Sequence, residues 1–307
     1  MATLYDRPFA GEADIEAITQ FLLETYVLHG WLLNWDPRRW HGQVYHNNNA
    51  DFAAYRARLP EEVHIWQTAE GAIRGVVIPE RPGSVFVQIH PAARHIEAAM
   101  LAWSEAHLAQ VDADGTRWIG VWADEPDTHR NDLLGARGYI RSEAHDTMRR
   151  RPMSDPVPDL PVPQGYRVRS MGRAAADRES YAAMLNAAFG RSFHSAEEYG
   201  NFQTSPLYRE ALDIVVEAPD GSLAATAGFT AHERESFALL EPVCTHPEHQ
   251  GRGLAGAAIA EGLRRVQALG IGSAFVGAWH ANPVSNHLYQ KMGFRDGVRQ
   301  YLWRRIW

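Results

Sequence analysis

The sequence predicts an α/β protein built from two similar halves, because two anchor dipeptides recur in the same order. His90-Pro91 reappears as His246-Pro247, an offset of 156 residues. Gly138-Tyr139 reappears as Gly293-Phe294, an offset of 155 residues. Between these anchors each half carries a helix-like stripe and then a strand-like run. Agreement of order, spacing and element type indicates an internal duplication.

The elements can be assigned in order within each half. Val63–Ile78 and Ile214–Phe229 alternate like hairpins and turn at Glu70-Gly71 and Asp220-Gly221. Apolar residues at helical spacing follow, and Gly270 stands where a helix C-terminus favours glycine. The stripes are Ile96, Met100, Trp103 and Leu108 in the first half, and Leu254, Ala258, Ile259, Leu263 and Val266 in the second. Strand-like runs begin next at Arg117 and Ser273.

A proline-rich segment separates the halves. Residues 151–165 hold five prolines, a density that blocks helix and central strand alike and predicts an extended connector. We therefore expect a first domain at 1–150, a linker at 151–165 and a second domain at 166–307. The length of 307 residues suits two domains of ordinary size.

Composition excludes several classes of function. The net charge of −7 argues against general nucleic-acid binding, which needs a basic surface. Cys244 is the sole cysteine, so neither an intrachain disulfide nor a cysteine metal site can form, and the scattered histidines predict no metal. No apolar run is long enough for a membrane span, and the N-terminus lacks the features of a secretory signal. We expect a cytoplasmic protein without a membrane partner.

The stretch from Val243 to Ala255 carries the strongest functional signal. A β-rich run, Phe237–Thr245, leads into a turn containing Gln250, Gly251, Arg252 and Gly253, and a helix begins at about Leu254. Glycine lets the backbone approach a ligand, and the N–H groups at a helix start bind phosphate. Arg252 adds a forked cation suited to phosphate oxygens. The stretch therefore predicts a pyrophosphate site.

The pattern Gln250-x-x-Gly253-x-Ala255 resembles the acyl-CoA loop of the GCN5-related N-acetyltransferases, the GNAT superfamily. A second segment, Asn282 to Phe294, resembles the later family pattern Asn-x-x-Ala-x-x-Leu-Tyr-x-x-x-Gly-Phe, with Ser285 in place of Ala. The order and separation of the two segments suit the family. The resemblance covers residues 165–300 specifically and residues 10–150 weakly, as in tandem two-domain members.

The resemblance implies an α/β fold with a mixed, mostly antiparallel sheet and helices on both faces in each half. Two strands would part to hold the pantetheine arm of acetyl-CoA. The residues assigned to this co-substrate are Val243, Cys244, Thr245, Gln250, Gly251, Arg252, Gly253, Leu254, Ala255, Asn282 and Asn286. Asn282 precedes proline, so a purely local turn role is the alternative for it.

Tyr289 occupies the position of the family tyrosine that faces the CoA sulfur. A phenol with an ordinary pKa near ~10 is protonated at neutral pH and can donate to a thiolate; the alternative is a structural hydrogen bond. Glu241 is the candidate base, with Glu233, His232, His280 and the chain-terminal carboxylate as alternatives. Pro242 predicts a bulge or break beside it. We interpret Cys244 as a packing residue rather than a nucleophile.

The two halves differ where the chemistry is expected. Residues 92–97 contain no glycine, and Leu134 stands where the second half has Tyr289. We therefore expect the first half to keep the fold but to lack the cofactor site. Aromatic residues between Phe189 and Tyr208 either line an acceptor pocket or form the core of a helix pair.

These observations predict an acetyl-CoA-dependent N-acetyltransferase. It would transfer the acetyl group directly to a primary amine of a small-molecule acceptor, with aminoglycoside-like amines as one candidate class. The alternatives are a protein or peptide N-acetyltransferase and a non-catalytic CoA-binding regulatory protein. The sequence fixes neither the acceptor nor the oligomeric state.

Overall fold

The computed structural model describes residues 3–32, 35–45 and 52–307, apart from the side chains of residues 52 and 55. The chain forms two compact units. The first unit consists of Met1–Trp40, Ala53–Met148 and Val298–Trp307, and the second of His41–Phe52 and Arg149–Gly297.

The chain passes between the units near the proline-rich segment, at Arg149. The C-terminal residues 298–307 nevertheless belong to the first unit, and the described residues 41–45 belong to the second. The functional domains expected at 1–150 and 166–307 remain predictions.

The elements of the first half follow one another in the predicted order. They are β1 (Tyr5–Pro8), α1 (Glu12–His29), α2 (Pro37–Tyr45), α3 (Phe52–Glu62), β2 (His64–Gln67), β3 (Ile73–Arg81), β4 (Ser84–Ile89), a 3-10 turn (Pro91–Ile96), α4 (Glu97–His107), β5 (Gln110–Val111), β6 (Arg117–Asp124), α5 (Thr128–Ala136) and β7 (Ile140–Pro152).

The second half repeats this order. Its elements are β8 (Arg167–Ser170), α6 (Ala175–Phe189), α7 (Ala196–Phe202), a 3-10 turn (Glu210–Leu212), β9 (Asp213–Glu217), β10 (Leu223–His232), β11 (Phe237–Thr245), a 3-10 turn (Pro247–His249), α8 (Leu254–Ala268), β12 (Ser273–Trp279), α9 (Pro283–Lys291) and β13 (Arg295–Ile306).

Both units contain a mixed sheet. The strand order is β1-β2-β3-β4-β6-β13 in the first unit, with β5 also on β6, and β7-β12-β11-β10-β9-β8 in the second. The pairs β4–β6 and β11–β12 are parallel, whereas the hairpins β2–β3 and β9–β10 are antiparallel. The predicted mixed sheet is confirmed.

The last strand of each sheet comes from an unexpected place. Residues 300–306 of β13 pair with β6 and complete the first unit's sheet. In the second unit the neighbour of β12 is β7, whose residues from Arg149 onward belong to that unit. A simple repeat of the halves would give each sheet its own final strand.

The second unit's sheet is covered on both faces. Ile214, Val216 and Ala227 pack with the apolar stripe of α8, in which the predicted residues Leu254, Ala258, Ile259, Leu263 and Val266 are all buried. Val215 and Cys244 point to the opposite face and pack with residues of α6 and α7. Successive strand residues alternate between faces, so one β-run supplies both cores.

Candidate active site

The second unit contains an opening between the parallel strands β11 and β12. They pair only through Phe237–Leu239 against Ser273–Phe275. Beyond that point β11 continues to Thr245 and β12 to Trp279, without further pairs between them in the described part of the chain. On its other side, β11 stays paired with β10 up to Thr245. Its remaining backbone groups are therefore free to bind an extended amide-containing arm.

A bulge in the β10–β11 pair places Glu241 and Pro242 opposite Gly228. The register shifts between Ala227 and Phe229. A Cβ on Gly228 would lie 3.0 Å from the carbonyl oxygen of Glu241. Only glycine leaves room for the backbone here, and the break predicted from Pro242 is confirmed. A glycine within a strand pattern was the sequence signal for this bulge.

The glycine turn ends at the start of α8, as predicted. Gly251 and Gly253 have φ values of 76° and 77°, in the left-handed region that favours glycine. Gly253 is the N-cap of α8, and no side chain caps this helix. A Cβ at either glycine would meet no atom within 4 Å, so the space beside the turn is open. Exposed N–H groups at a helix start form an anion site.

Arg252 and Gln250 lie beside this turn with other contacts already made. The Arg252 guanidinium donates to the Tyr166 hydroxyl and, at 3.2 Å, to the Glu248 carbonyl. The Tyr166 hydroxyl is 2.9 Å from Nδ1 of His249. Gln250 donates to the Thr245 carbonyl at 3.4 Å. No sequence pattern pointed to Tyr166, which follows the proline-rich segment.

Tyr289 is buried on α9, with 7% of its surface exposed. Burial, followed by the nearby charge of Glu241 and then the Cys244 thiol, raises the pKa of Tyr289 above its ordinary value. The hydroxyl makes no hydrogen bond to any described residue. A phenol held protonated and free to donate suits a general acid.

Glu241 and Cys244 are close enough to Tyr289 to act on its pKa, so the fold brings together residues separated by more than forty positions. Glu241 is partly exposed and Cys244 is buried. Burial raises the pKa of the Cys244 thiol to about 12, so the reactive thiolate is scarce at neutral pH. This agrees with a packing role for Cys244.

Asn282 and Asn286 hold the start of α9. The Asn282 side chain accepts a hydrogen bond from the Ser285 backbone at 3.1 Å and is the N-cap of the helix. Asn286 donates to the carbonyls of Trp279 and Asn282 at 2.8 and 2.7 Å, and its Oδ1 accepts from Arg149 at 2.6 Å. The turn role is thus visible for Asn282. These bonds fix the end of β12 against the helix that carries Tyr289.

The structure also gives the positions of other candidate residues from the sequence. His232 pairs in register with Phe237, the first residue of β11, whereas Cys244 lies near the other end of that strand. The aromatic residues Tyr199 and Phe202 are buried in the core beneath α6 and α7, where the Tyr199 and Tyr181 rings stack at 4.0 Å. The core interpretation therefore holds for these two aromatics.

In the first unit the corresponding turn is filled by ion pairs. Glu97, at the offset of Gly253, has no exposed surface and begins α4. Its carboxylate contacts Arg130 at 2.5 Å and Arg94 at 2.9 Å. Arg94 also forms a two-bond pair with Asp127, at 2.5 and 3.0 Å. The helix start thus has an internal carboxylate beside it where a phosphate would bind.

The described residues contain no group of three or more His, Cys, Asp or Glu side chains placed to hold a metal ion. None of the helices in the described ranges combines the length and apolar character that crossing a membrane requires.

Comparison with known proteins finds similarity to acetyltransferases of the GNAT type. Residues 179–294 match the model of the acetyltransferase (GNAT) family, a range that includes the opening, the glycine turn and Tyr289. This part of the chain is therefore similar to the GNAT acetyltransferases.

Particular relatives support the same assignment. A mycothiol acetyltransferase from Thermobispora bispora is 28% identical over 243 residues, which cover 74% of this chain and 77% of the relative. A mycothiol acetyltransferase from Salinispora tropica is 25% identical over 245 residues, covering 74% of this chain and 76% of the relative.

Solved structures share the fold over nearly the whole chain. A GCN5-related N-acetyltransferase from Sphaerobacter thermophilus superposes with a TM-score of 0.63 at 17% identity, covering 99% of this chain and 95% of the other. A tandem GNAT protein from the clavulanic acid biosynthesis pathway gives a TM-score of 0.61 at 16% identity, covering 99% and 98%. At these identities the likeness concerns the fold alone.

Proposed function

We propose that this protein transfers an acetyl group from acetyl-CoA to the primary amine of a small-molecule acceptor, with the chemistry in the second half of the chain. The observation that carries the proposal is the position of Tyr289. Its buried, protonated hydroxyl is close enough to Glu241 to feel its charge, and Glu241 lies on β11 beyond the last pair with β12.

The residues present fit acetyl-CoA. The left-handed glycines leave open space beside the N–H groups of α8, which suits a pyrophosphate. Leu254 and Ala255 would add helix-start amides, and Arg252 would exchange its contacts with Tyr166 and Glu248 for phosphate oxygens. Bound acetyl-CoA supplies an activated acetyl group as a thioester.

Each residue near the opening then has a defined task. Glu241 accepts a proton from the acceptor ammonium, directly or through water, and leaves a neutral amine. The amine nitrogen forms a bond to the carbonyl carbon, while backbone N–H groups of Val243–Thr245 donate to the developing oxyanion. The carbon–sulfur bond would break as Tyr289 donates its proton to the sulfur, and the proton that the nitrogen loses on becoming an amide would return to the Tyr289 oxygen through water.

The acceptor class follows from the chemistry of an N-acetyltransferase and from the relatives. The two curated relatives are named for mycothiol acetylation. We place the acceptor of those enzymes and aminoglycoside-like amines among the first candidates for this chain. The partly exposed Glu241 carboxylate favours a cationic acceptor.

The test is an acetylation panel with the full chain. Aminoglycosides, polyamines, amino acids, peptide N-termini and the acceptor of the mycothiol acetyltransferases are incubated with acetyl-CoA, and CoA release is measured. For acceptors that carry a thiol, product mass replaces thiol release. We expect one small amine to be acetylated far faster than the peptides.

Glu241→Gln provides a matched control for the role of the base. We expect it to keep acetyl-CoA affinity and to lose most turnover at neutral pH. The loss should shrink as pH approaches the ordinary pKa of an alkylamine, near ~10, where the acceptor needs no base. Acetyl-CoA binding without acetylation of any amine would overturn the proposal.

A further inference from the structure

The first unit contains a cavity that the proposed chemistry does not use. Its volume is about 350 Å³, within the usual range of small-molecule sites of roughly 300–1,000 Å³. It lies at the ends of β4 and β6 and the starts of α4 and α5. The second unit's opening lies at the corresponding strand ends.

Asp124 contributes a buried carboxylate to this cavity. It is the last residue of β6, lines the cavity and has only 9% of its surface exposed. Its Oδ1 is buried and forms no hydrogen bond to any described residue. A buried carboxylate without a donor carries a large desolvation cost, which a ligand supplying a donor would offset.

The charges around Asp124 favour a cationic ligand. Arg94 is already paired with Asp127 and Glu97, and Arg130 is paired with Glu97. The positive charges of these two arginines thus balance the negative charges of Glu97 and Asp127. The Asp124 carboxylate adds a negative charge that no further arginine balances among the residues lining the cavity. An anionic ligand would have to displace an internal ion pair and also face Asp124.

The other residues that line the cavity suit the apolar part of a small ligand. Ile89, Pro126, Val298 and the indole of Trp31 line the cavity together with His29. Burial, followed by the positive charge of Arg94, lowers the pKa of His29, so the imidazole is mainly neutral at neutral pH. An aromatic wall residue can also attract a cation through its ring face.

We propose that this cavity binds a small organic amine, whose ammonium group pairs with Asp124 and whose apolar body contacts Trp31 and Ile89. The site would be separate from the acetyl-transfer site and would have replaced cofactor binding in the first unit. A ligand here would act as an effector or stabiliser rather than as a substrate.

The experiment uses the full chain saturated with CoA, which lacks an acetyl group and prevents turnover. Phenethylamine is titrated by calorimetry against 2-phenylethanol, which has a similar shape without the charge, and against 3-phenylpropionate. We expect binding of the amine, about tenfold weaker binding of the alcohol and none of the acid. Hydrogen exchange should show protection by the amine at residues 118–130.

Variants separate this site from the acetyl-transfer site. Asp124→Asn should weaken phenethylamine binding about tenfold or more. The variant removes the negative charge that strengthens a hydrogen bond donated by the ammonium group. Asp132→Asn, at an exposed position of α5, and Tyr289→Phe should both retain phenethylamine binding. CoA affinity reports whether each variant is folded.

Three results would overturn the proposal. The first is that the wild type does not bind phenethylamine, and the second is that it binds the amine and the alcohol with equal affinity. The third is that folded Asp124→Asn binds the amine as tightly as the wild type does. If the amine instead protects the β11–β12 opening and binding is lost in Tyr289→Phe, it occupies the acceptor site and the cavity assignment fails.

Discussion

The turns at residues 90–97 and 246–253 occupy the same place in the repeated fold. They differ in whether the space beside the helix start is open or already contains a carboxylate. In the second unit, Gly251 and Gly253 leave the start of α8 uncapped and open. In the first unit, Glu97 begins α4 and its buried carboxylate is held by Arg94 and Arg130. We propose that the turn of the second unit receives a phosphate, whereas the turn of the first unit contains a carboxylate of its own.

This difference is the basis of our proposal that the first unit keeps the fold but lacks the cofactor site. An open helix start leaves N–H groups unsatisfied until a ligand binds. In the first unit the Glu97 carboxylate lies in the first turn of α4, where a negative charge is favourable, and is held by two arginines. The first half could therefore become a structural or ligand-binding partner without loss of its fold.

The largest effect is expected at Gly253. Gly253→Val places a β-branched side chain at a φ of 77° and beside the proposed pyrophosphate. We expect acetyl-CoA affinity to fall about 100-fold or more, measured by calorimetry, from backbone strain and lost N–H contacts.

His95→Val, at the matching position of Gly251 in the first unit, is the control and should leave acetyl-CoA affinity unchanged. Hydrogen-exchange protection of the His95 region by acetyl-CoA would show that the first unit also binds the cofactor.

The tyrosines of the two units should separate catalysis from stability. Tyr289→Phe should lower kcat by roughly 100-fold or more without changing acetyl-CoA affinity, since only proton donation is lost. Tyr139→Phe removes a buried hydrogen bond to Glu105 of 3.1 Å.

The Tyr139→Phe change should cost about 1 kcal/mol of unfolding free energy and leave kcat unchanged. Steady-state kinetics and urea unfolding distinguish these outcomes. A kcat loss in Tyr139→Phe equal to that in Tyr289→Phe would remove the functional contrast between the units.

The internal anion of the first unit should matter for stability rather than for cofactor binding. Glu97→Gln removes the nearest charged partner of Arg130, which is itself buried and keeps only the more distant Asp127, and we expect a loss of about 3 kcal/mol in urea unfolding. The exposed Glu248→Gln in the other turn should change stability by less than about 0.5 kcal/mol. If both variants changed the unfolding free energy equally, the buried ion pairs of Glu97 would contribute no more to stability than an exposed charge does.

The smallest effect concerns the pH dependence of stability. Burial raises the pKa of Asp124 to about 7, with a weaker opposing influence from Arg130 and an additional raising influence from Asp127. The folded state therefore binds a proton more tightly than the unfolded state. The protonated carboxyl favours folding at low pH, and stability falls as pH rises through about 7.

Asp124→Asn removes this dependence. Its melting temperature should match that of the wild type only at or below the ordinary carboxyl pKa of about 4, and should exceed it increasingly as pH rises to about 7. Melting curves of the unliganded full chain provide the measurement. A constant difference across this range would show that Asp124 stays charged or solvated.

The sequence by itself determined much of the second half. Phe237–Thr245 was predicted as a strand, and the structure gives the same bounds. The helix start at Leu254, the hairpins turning at Gly71 and Gly221, and Gly270 after α8 were also correct. These features depend on local chemistry, namely alternation, helical spacing and the φ values that glycine tolerates.

Only the tertiary structure decided what these elements bring together. The closeness of Tyr289, Glu241 and Cys244 depends on how β11 and α9 pack. The contacts of Tyr166 with Arg252 and of Arg149 with Asn286 join residues far apart in the chain and have no local pattern.

The final strand of the first unit's sheet was likewise decided by the tertiary structure. Residues 300–306 occupy that place because strand pairing depends on backbone hydrogen bonds that any extended segment can supply. Periodicity predicts that a segment is a strand, but it does not encode which edge the strand will join.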